Sequence, residues 1–188
     1  MDPITLSADI ALAAVASATL SICFGLLMAV RYSPVRLWPH RRIDIFRIHR
    51  YLAYFTLLAI TAHVVILLFA RRVVFRVVDV LFPIHSPLQP LQNTFGAIAL
   101  YVLLVVLVSS LMRAQIGRRL WKSLHYLVYP AGVLLFIHGV FTDSDLRTGK
   151  ADLLDGEKVY VMGCFLLVLA ASLFALRLRR IRVRARAA

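Results

Sequence analysis

Residues 48–63 read IHRYLAYFTLLAITAH, an apolar run bracketed by His49 and His63 in an HX13H pattern. A second apolar segment carries His125 and His138 in an HX12H pattern. An imidazole facing lipid is costly unless something binds it, so four of them in two matched pairs ask for a ligand.

The rest of the chain has the same apolar character. Hydrophobic residues make up 61% of the 188, and the mean hydropathy of +0.82 is too high for a soluble domain of this length. A membrane-crossing helix needs about 20 mainly apolar residues. Five stretches qualify, at about 8–30, 46–70, 93–112, 122–141 and 158–176. The expectation is an all-α integral membrane protein, a bundle of five transmembrane helices forming a single domain over 1–188. The first stretch lacks a basic leader and follows Asp2 and Asp9, so it reads as an uncleaved span.

Orientation follows from the basic residues beside the spans, because cytoplasmic loops are enriched in Lys and Arg. Arg31, Arg36, Arg41, Arg42, Arg47 and Arg50 flank the first loop, and Arg113, Arg118, Arg119 and Lys122 the third. The tail adds Arg177, Arg179, Arg180, Arg182, Arg184 and Arg186. These three regions are expected inside, with the C-terminus cytoplasmic and the N-terminus outside. The fourth loop, with Asp143, Asp145, Asp152, Asp155 and Glu157, belongs outside. The second loop conflicts mildly through Arg71, Arg72 and Arg76; its RRVVFRVVDVLF reads as an interfacial amphipathic segment lying flat. A net charge of +13 suits nucleic acid at first sight, but it clusters at span ends, where topology and anionic lipid account for it.

Spans two and four then run in parallel, so His49 shares a level with His125, and His63 with His138. A separation of 14 residues is about 21 Å of helix, against a hydrocarbon core of about 30 Å, so one pair lies towards each face. Fourteen residues return to within about 40° of the starting helical face, whereas 13 leave an offset of about 140°. Span four therefore needs a local distortion. Pro130, which cannot bond to the carbonyl of Tyr126, is expected to rephase the helix and turn His138 inward.

Haem iron accepts two axial imidazoles, so each level suits one haem, and two stacked haems would carry electrons across the bilayer. No CXXCH occurs, which makes such haems b-type. Haem propionates need cations or donors. Arg47, Arg50, Arg118, Arg119 and Lys122 stand at the inner level, Arg71, Arg72, Thr142 and Ser144 at the outer. The cation-rich inner set also fits plain positive-inside anchoring. Tyr51, Tyr54, Tyr126, Tyr129, Phe136 and Phe141 flank the histidines as haem-lining candidates or, more ordinarily, as interface anchors. His40 and His85 fall in loops outside the pattern; Cys23 and Cys164 sit in spans as packing residues.

The stretches IHRYLAYFTLLAITAH (48–63), WKSLHYLVYP (121–130) and IHGVFTDSD (137–145) resemble the ferric reductase-like transmembrane domain. That haem-bearing core is shared by ferric reductases, NADPH oxidases and the membrane subunit of the bacterial methionine sulfoxide reductase system. The resemblance covers about residues 40–165. It implies His49 with His125 on an inner haem iron and His63 with His138 on an outer one. Family members often have six spans, so the first has no counterpart here. NADPH oxidases carry a further histidine four positions after the second ligand, where this chain has Leu67, which argues against dedicated superoxide production.

The sequence holds no glycine-rich nucleotide motif and closes on RLRRIRVRARAA, so electrons are expected from elsewhere. The expected function is a di-haem b-type cytochrome of the cell membrane, a bacterial inner membrane by the resemblance. It would take electrons from a cytoplasmic flavin reductase, reduced flavin or quinol and deliver them outside to ferric iron, oxygen or a partner reductase. External flavin or quinone would then be a partner cofactor, with membrane lipid around the bundle and no nucleic acid. Two other readings are a quinol-oxidising cytochrome b subunit or haem anchor of a larger complex, and a haem-free transporter whose histidines relay protons. Haem content separates the latter from the rest.

Overall fold

The computed structural model describes residues 2–31, 44–70, 75–142 and 154–187. The elements are α1 (Pro3–Ala29), α2 (Ile45–Leu67), α3 (Val77–Leu81), a 3₁₀ turn (Pro83–His85), α4 (Pro90–Leu111), α5 (Arg113–Ile116), α6 (Arg118–His125), α7 (Val128–Phe141) and α8 (Gly156–Ala187). Five helical stretches are long and apolar enough to cross a membrane: α1, α2, α4, α6 with α7 taken together, and α8. The chain is a multi-pass, all-α membrane protein.

Local signals fix where the helices start. Asp2 caps α1 by accepting from the amide of Ile4, with Pro3 in the first turn. Asp44 caps α2 through the amide of Arg47 at 3.0 Å. Ahead of α4, Ser86 and Asn93 both donate to the carbonyl of Leu88, at 3.0 and 2.9 Å, and Pro90 opens the helix. Between α5 and α6 the chain turns at Gly117, whose φ of 77° suits a residue without a Cβ.

Packing is closest between α1 and α2, then between α4 and α7, with α8 laid against α1 and α7. On α1 the buried positions are small, among them Ser7, Ala14, Ser17 and Ser21, which lets the two backbones approach. Serine hydroxyls of α1 donate to α2 carbonyls at three heights: Ser7 to His63, Ser17 to Leu52 and Ser21 to His49, at 2.9, 3.0 and 3.3 Å. Ala14, Ala59 and Ile60, with Ile10, Leu100 and Leu103 against them, form an apolar core between α1, α2 and α4. Outside, Leu58, Leu104, Leu166 and Leu173 are exposed, as lipid-facing positions should be.

The distortion expected in span four is present, a few residues ahead of Pro130. Helix α6 ends at His125, Tyr126 and Leu127 form a turn, and α7 begins at Val128. Leu127 and Tyr129 bond back three residues, to Leu124 and Tyr126, at 3.0 and 3.2 Å. The Tyr126 carbonyl that proline cannot reach is thus taken by Tyr129, and the tightened turn rephases the helix. In the second loop, residues 71–74 lie outside the described residues, Arg71 and Arg72 with them. The remainder contributes the five-residue α3, with Val77, Val78 and Leu81 exposed, and the 3₁₀ turn Pro83–His85. His40, Arg36, Arg41, Arg42, Ser144 and the fourth-loop residues 143–153 also fall outside.

Candidate functional site

Two pairs of imidazoles face each other across the bundle. His49 of α2 lies 6.2 Å from His125 of α6, centre to centre, with ring planes at 70°. His63 of α2 lies 6.5 Å from His138 of α7, at 69°. A metal–imidazole bond is about 2.0 Å and a ring nitrogen sits about 1.1 Å from the ring centre, so two imidazoles on one metal have centres about 6.2 Å apart. Both gaps have that size. All four rings are half-buried.

Each ring is held through Nδ1 by the neighbouring helix. His63 Nδ1 lies 2.7 Å from Ser7 Oγ and 2.9 Å from the Ser7 carbonyl. His49 repeats this with Ser21, at 3.1 Å to Oγ and 2.8 Å to the carbonyl. His138 Nδ1 meets the carbonyl of Gln92 at 2.9 Å and Thr142 Oγ1 at 3.3 Å. A carbonyl can only accept, so Nδ1 carries the proton in these three rings and Nε2 keeps the lone pair a metal requires. His125 is held more loosely: Ser110 Oγ stands 3.4 Å from Nδ1, and Trp121 stacks on the ring at 5.2 Å. Ser110 donates to the carbonyl of Val106 at 2.7 Å, so its oxygen is left to accept from His125 and from Trp121 Nε1 at 3.3 Å.

Glycines make room for two rings. A Cβ on Gly25 would lie 3.3 Å from Cε1 of His49, and one on Gly96 would lie 3.0 Å from the ring of His138. Both glycines follow by one turn the residue whose carbonyl binds that same ring, Ser21 and Gln92.

Around the His63–His138 pair lies a cavity whose lining includes Ser7, Ala11, Gly96, Thr142 and Lys158. Lys158 is 5% exposed. Its Nζ donates to the carbonyls of Gly139, at 3.2 Å, and Thr142, the last turn of α7, where a cation is favoured.

The other predicted residues distribute as follows. Arg47 pairs with Asp44 at 3.7 Å, and Arg50 lies over Phe46 and Tyr51 at 5.9 and 5.7 Å. Lys122 lies over Tyr126 at 5.8 Å, while Arg118 and Arg119 are exposed on α6. Thr142, expected as a propionate donor, lies with Oγ1 3.3 Å from His138 Nδ1 and lines the cavity beside it. Tyr51, Tyr54, Tyr126, Tyr129 and Phe141 are exposed on the outside of the bundle, which suits interface anchors rather than a pocket lining. Phe136 stacks on Phe165 at 4.2 Å. His85 is exposed in its 3₁₀ turn. Sequence reasoning missed Ser7, Ser21, Gln92, Ser110 and Lys158. The serines had a legible signal, since Ser7 and Ser21 are separated by the same 14 residues as His49 and His63.

The chemistry of the donor set fits haem better than a bare ion. No group of three or more His, Cys, Asp or Glu that could hold a metal occurs among the described residues. Two imidazoles facing across one gap suit an iron whose other positions are filled by a macrocycle.

Fold and site together define a multi-pass helical membrane protein with facing histidine pairs at two depths. Residues 12–137 match the ferric reductase like transmembrane component, and the chain belongs to that family. The match takes in His49, His63 and His125 and stops one residue before His138. Membership brings a transmembrane redox role. No curated protein and no solved structure matches the chain.

Proposed function

We propose that the protein is a di-haem b-type cytochrome that conducts electrons between the two membrane faces. The carrying observation is the pair of imidazole gaps, 6.2 and 6.5 Å, each of the size at which two imidazoles would hold one iron between them. His49 and His125 would hold the haem nearer the arginine-rich end, and His63 and His138 the far one. A bound haem supplies a reversible one-electron couple; the protein sets its position and surroundings.

The chain's own residues supply three things to that task. Carbonyls of Ser7, Ser21 and Gln92 fix the tautomer of three ligands, which keeps Nε2 available. Lys158 puts a buried cation beside the far pair, a partner for a haem carboxylate in addition to the outer-level arginines read from sequence. Arg47, Arg50, Arg118 and Arg119 supply cations at the level of His49 and His125. His63 and His138 together would hold the far haem, which would supply the one-electron chemistry towards an external acceptor.

By the positive-inside asymmetry the arginine-rich end is cytoplasmic. The donor is then a cytoplasmic flavin reductase, reduced flavin or quinol, and the acceptor an external ferric ion, oxygen or partner reductase. The test is haem stoichiometry and the reduced-minus-oxidised visible spectrum of the purified chain. Two b-type haems are expected, falling to one in His63→Ala and in His138→Ala, with the second signal intact. A colourless protein, or one haem in the wild type, sinks the proposal.

A further inference from the structure

The arginine-rich end holds far more charge than two haems need. Residues 29–50, 111–125 and 174–188 contain sixteen Arg and Lys and one carboxylate, Asp44. Asp44 is already occupied, capping α2 and pairing with Arg47. The sequence therefore offers the other cations of this end no carboxylate near them in the chain, and their neutralisation has to come from outside it.

Three of those cations converge. A cleft of about 300 Å³ is lined by Ala29, Val30, Arg31, Arg179, Arg182 and Val183, where the end of α1 meets the basic arm of α8. Helix α1 has no basic residue in its last turn. Its negative end is met instead by the Arg182 guanidinium, which donates to the carbonyl of Val30 and ties the arm to α1. Arg31 follows the cap with a φ of 50°, its amide donating to the carbonyl of Met28 at 3.0 Å. Arg182 is thus committed to the backbone, and Arg31 and Arg179 face the cleft without that obligation.

The depth is that of lipid headgroups. The apolar part of α8 ends near Leu176, so Arg179 and Arg182 lie about 5 and 9 Å further along at 1.5 Å per residue. A hydrocarbon core of about 30 Å in a full bilayer of about 40–45 Å leaves a polar layer of about 5–7.5 Å on each side, so Arg179 falls within it and Arg182 just beyond its outer edge. A guanidinium fork matches phosphate oxygens in pairs, and basic pockets at helix ends recognise anionic headgroups.

We propose that this cleft binds the phosphate of an anionic phospholipid headgroup. Arg31 and Arg179 grip the phosphate and Arg182 forms the wall that joins α8 to α1. A soluble phosphate has the same head chemistry but no use for the apolar lining of Ala29, Val30 and Val183.

The experiment is native mass spectrometry of the full chain in mild detergent, with phosphatidylglycerol, phosphatidylcholine or inorganic phosphate added. The test variant is Arg31→Gln/Arg179→Gln. The control, Arg180→Gln/Arg184→Gln, removes equal charge from the same arm outside the cleft. A surface cation contributes about five-fold to anionic lipid binding, so the test variant should lose about 25-fold in phosphatidylglycerol retention and the control far less. Phosphatidylcholine should be retained weakly, and inorganic phosphate should not displace the lipid. Equal losses in both variants, equal retention of the two lipids, or displacement by inorganic phosphate would each overturn the assignment. Unchanged helical circular dichroism and elution volume verify that the variants fold.

Discussion

The two helix pairs that present the histidines solve the same problem by different means. In α1–α2, unbroken helices keep the 14-residue register, and each histidine meets a serine that offers both its carbonyl and its hydroxyl. In α4 with α6 and α7, the 13-residue spacing is out of phase and the helix must break at Tyr126–Leu127. His138 still finds a carbonyl there, but His125 is left with a long contact to Ser110. A register close to a whole number of turns lets one device be used twice; a register that is not costs a break and leaves the residue before the break less constrained.

Steric room gives the sharpest contrast between the halves. Gly96 of α4 lies so close to His138 that a Cβ would meet three ring atoms at 3.0–3.1 Å, whereas Gly25 of α1 would meet Cε1 of His49 at 3.3 Å and Nδ1 at 3.6 Å. Gly96→Ala is expected to push the imidazole off its Gln92 carbonyl, at an overpacking cost of about 1–3 kcal/mol. The haem proposed for His63 and His138 should be lost or turned high-spin in the visible spectrum. Gly25→Ala should cost less than about 1 kcal/mol and leave the haem proposed for His49 and His125 low-spin. If the two substitutions have equal effects, the tighter approach of Gly96 to His138 is not what distinguishes the two sites.

Charge separates the halves next. Helix α2 ends at Leu67 with no basic residue in its last turn, while the last carbonyls of α7 receive Lys158. A unit charge about 8 Å away in an effective dielectric of about 20 is worth about 2 kcal/mol, or about 90 mV for one electron. Lys158→Met should therefore lower the midpoint potential of the far haem by tens of millivolts, because a cation favours the electron-rich reduced state. The near haem should not move. A potentiometric titration in which both haems shift together would assign Lys158 a general structural role.

Much of this architecture is legible in the sequence for one physical reason: lipid enforces apolarity along a span, so four imidazoles stand out and their spacing converts directly to depth. The five spans and the two levels come from that alone. The layer behind the histidines does not, because three of the four rings are oriented by main-chain carbonyls, which any residue type supplies. Gln92 is recognisable as a partner of His138 only once α4 is seen beside α7. Lys158 reads as one more loop charge until α8 is found to begin at Gly156 and to bury it against α7. Pro130 marked the break correctly in kind, but the tightened turn falls where the orphaned Tyr126 carbonyl is recaptured.

The smallest expected effect tests the loose end of the comparison. Ser21→Ala removes a hydroxyl but leaves the Ser21 carbonyl on His49 at 2.8 Å, so the tautomer persists. Hydrogen bonds between membrane helices average about 0.6 kcal/mol, and the near haem should shift by no more than that in stability. Ser110→Ala removes from His125 the Nδ1 acceptor that α4 provides, and from Trp121 the partner that seats its indole. With the ring free to rotate, its protonated nitrogen is no longer fixed, and Nε2 is less often presented to iron. Ser110→Ala should therefore weaken near-haem retention more than Ser21→Ala does, read as haem released during dilution in detergent, with the far haem as internal control. Equal release from the two variants would mean that the stack with Trp121, rather than the hydroxyl, holds His125 in place.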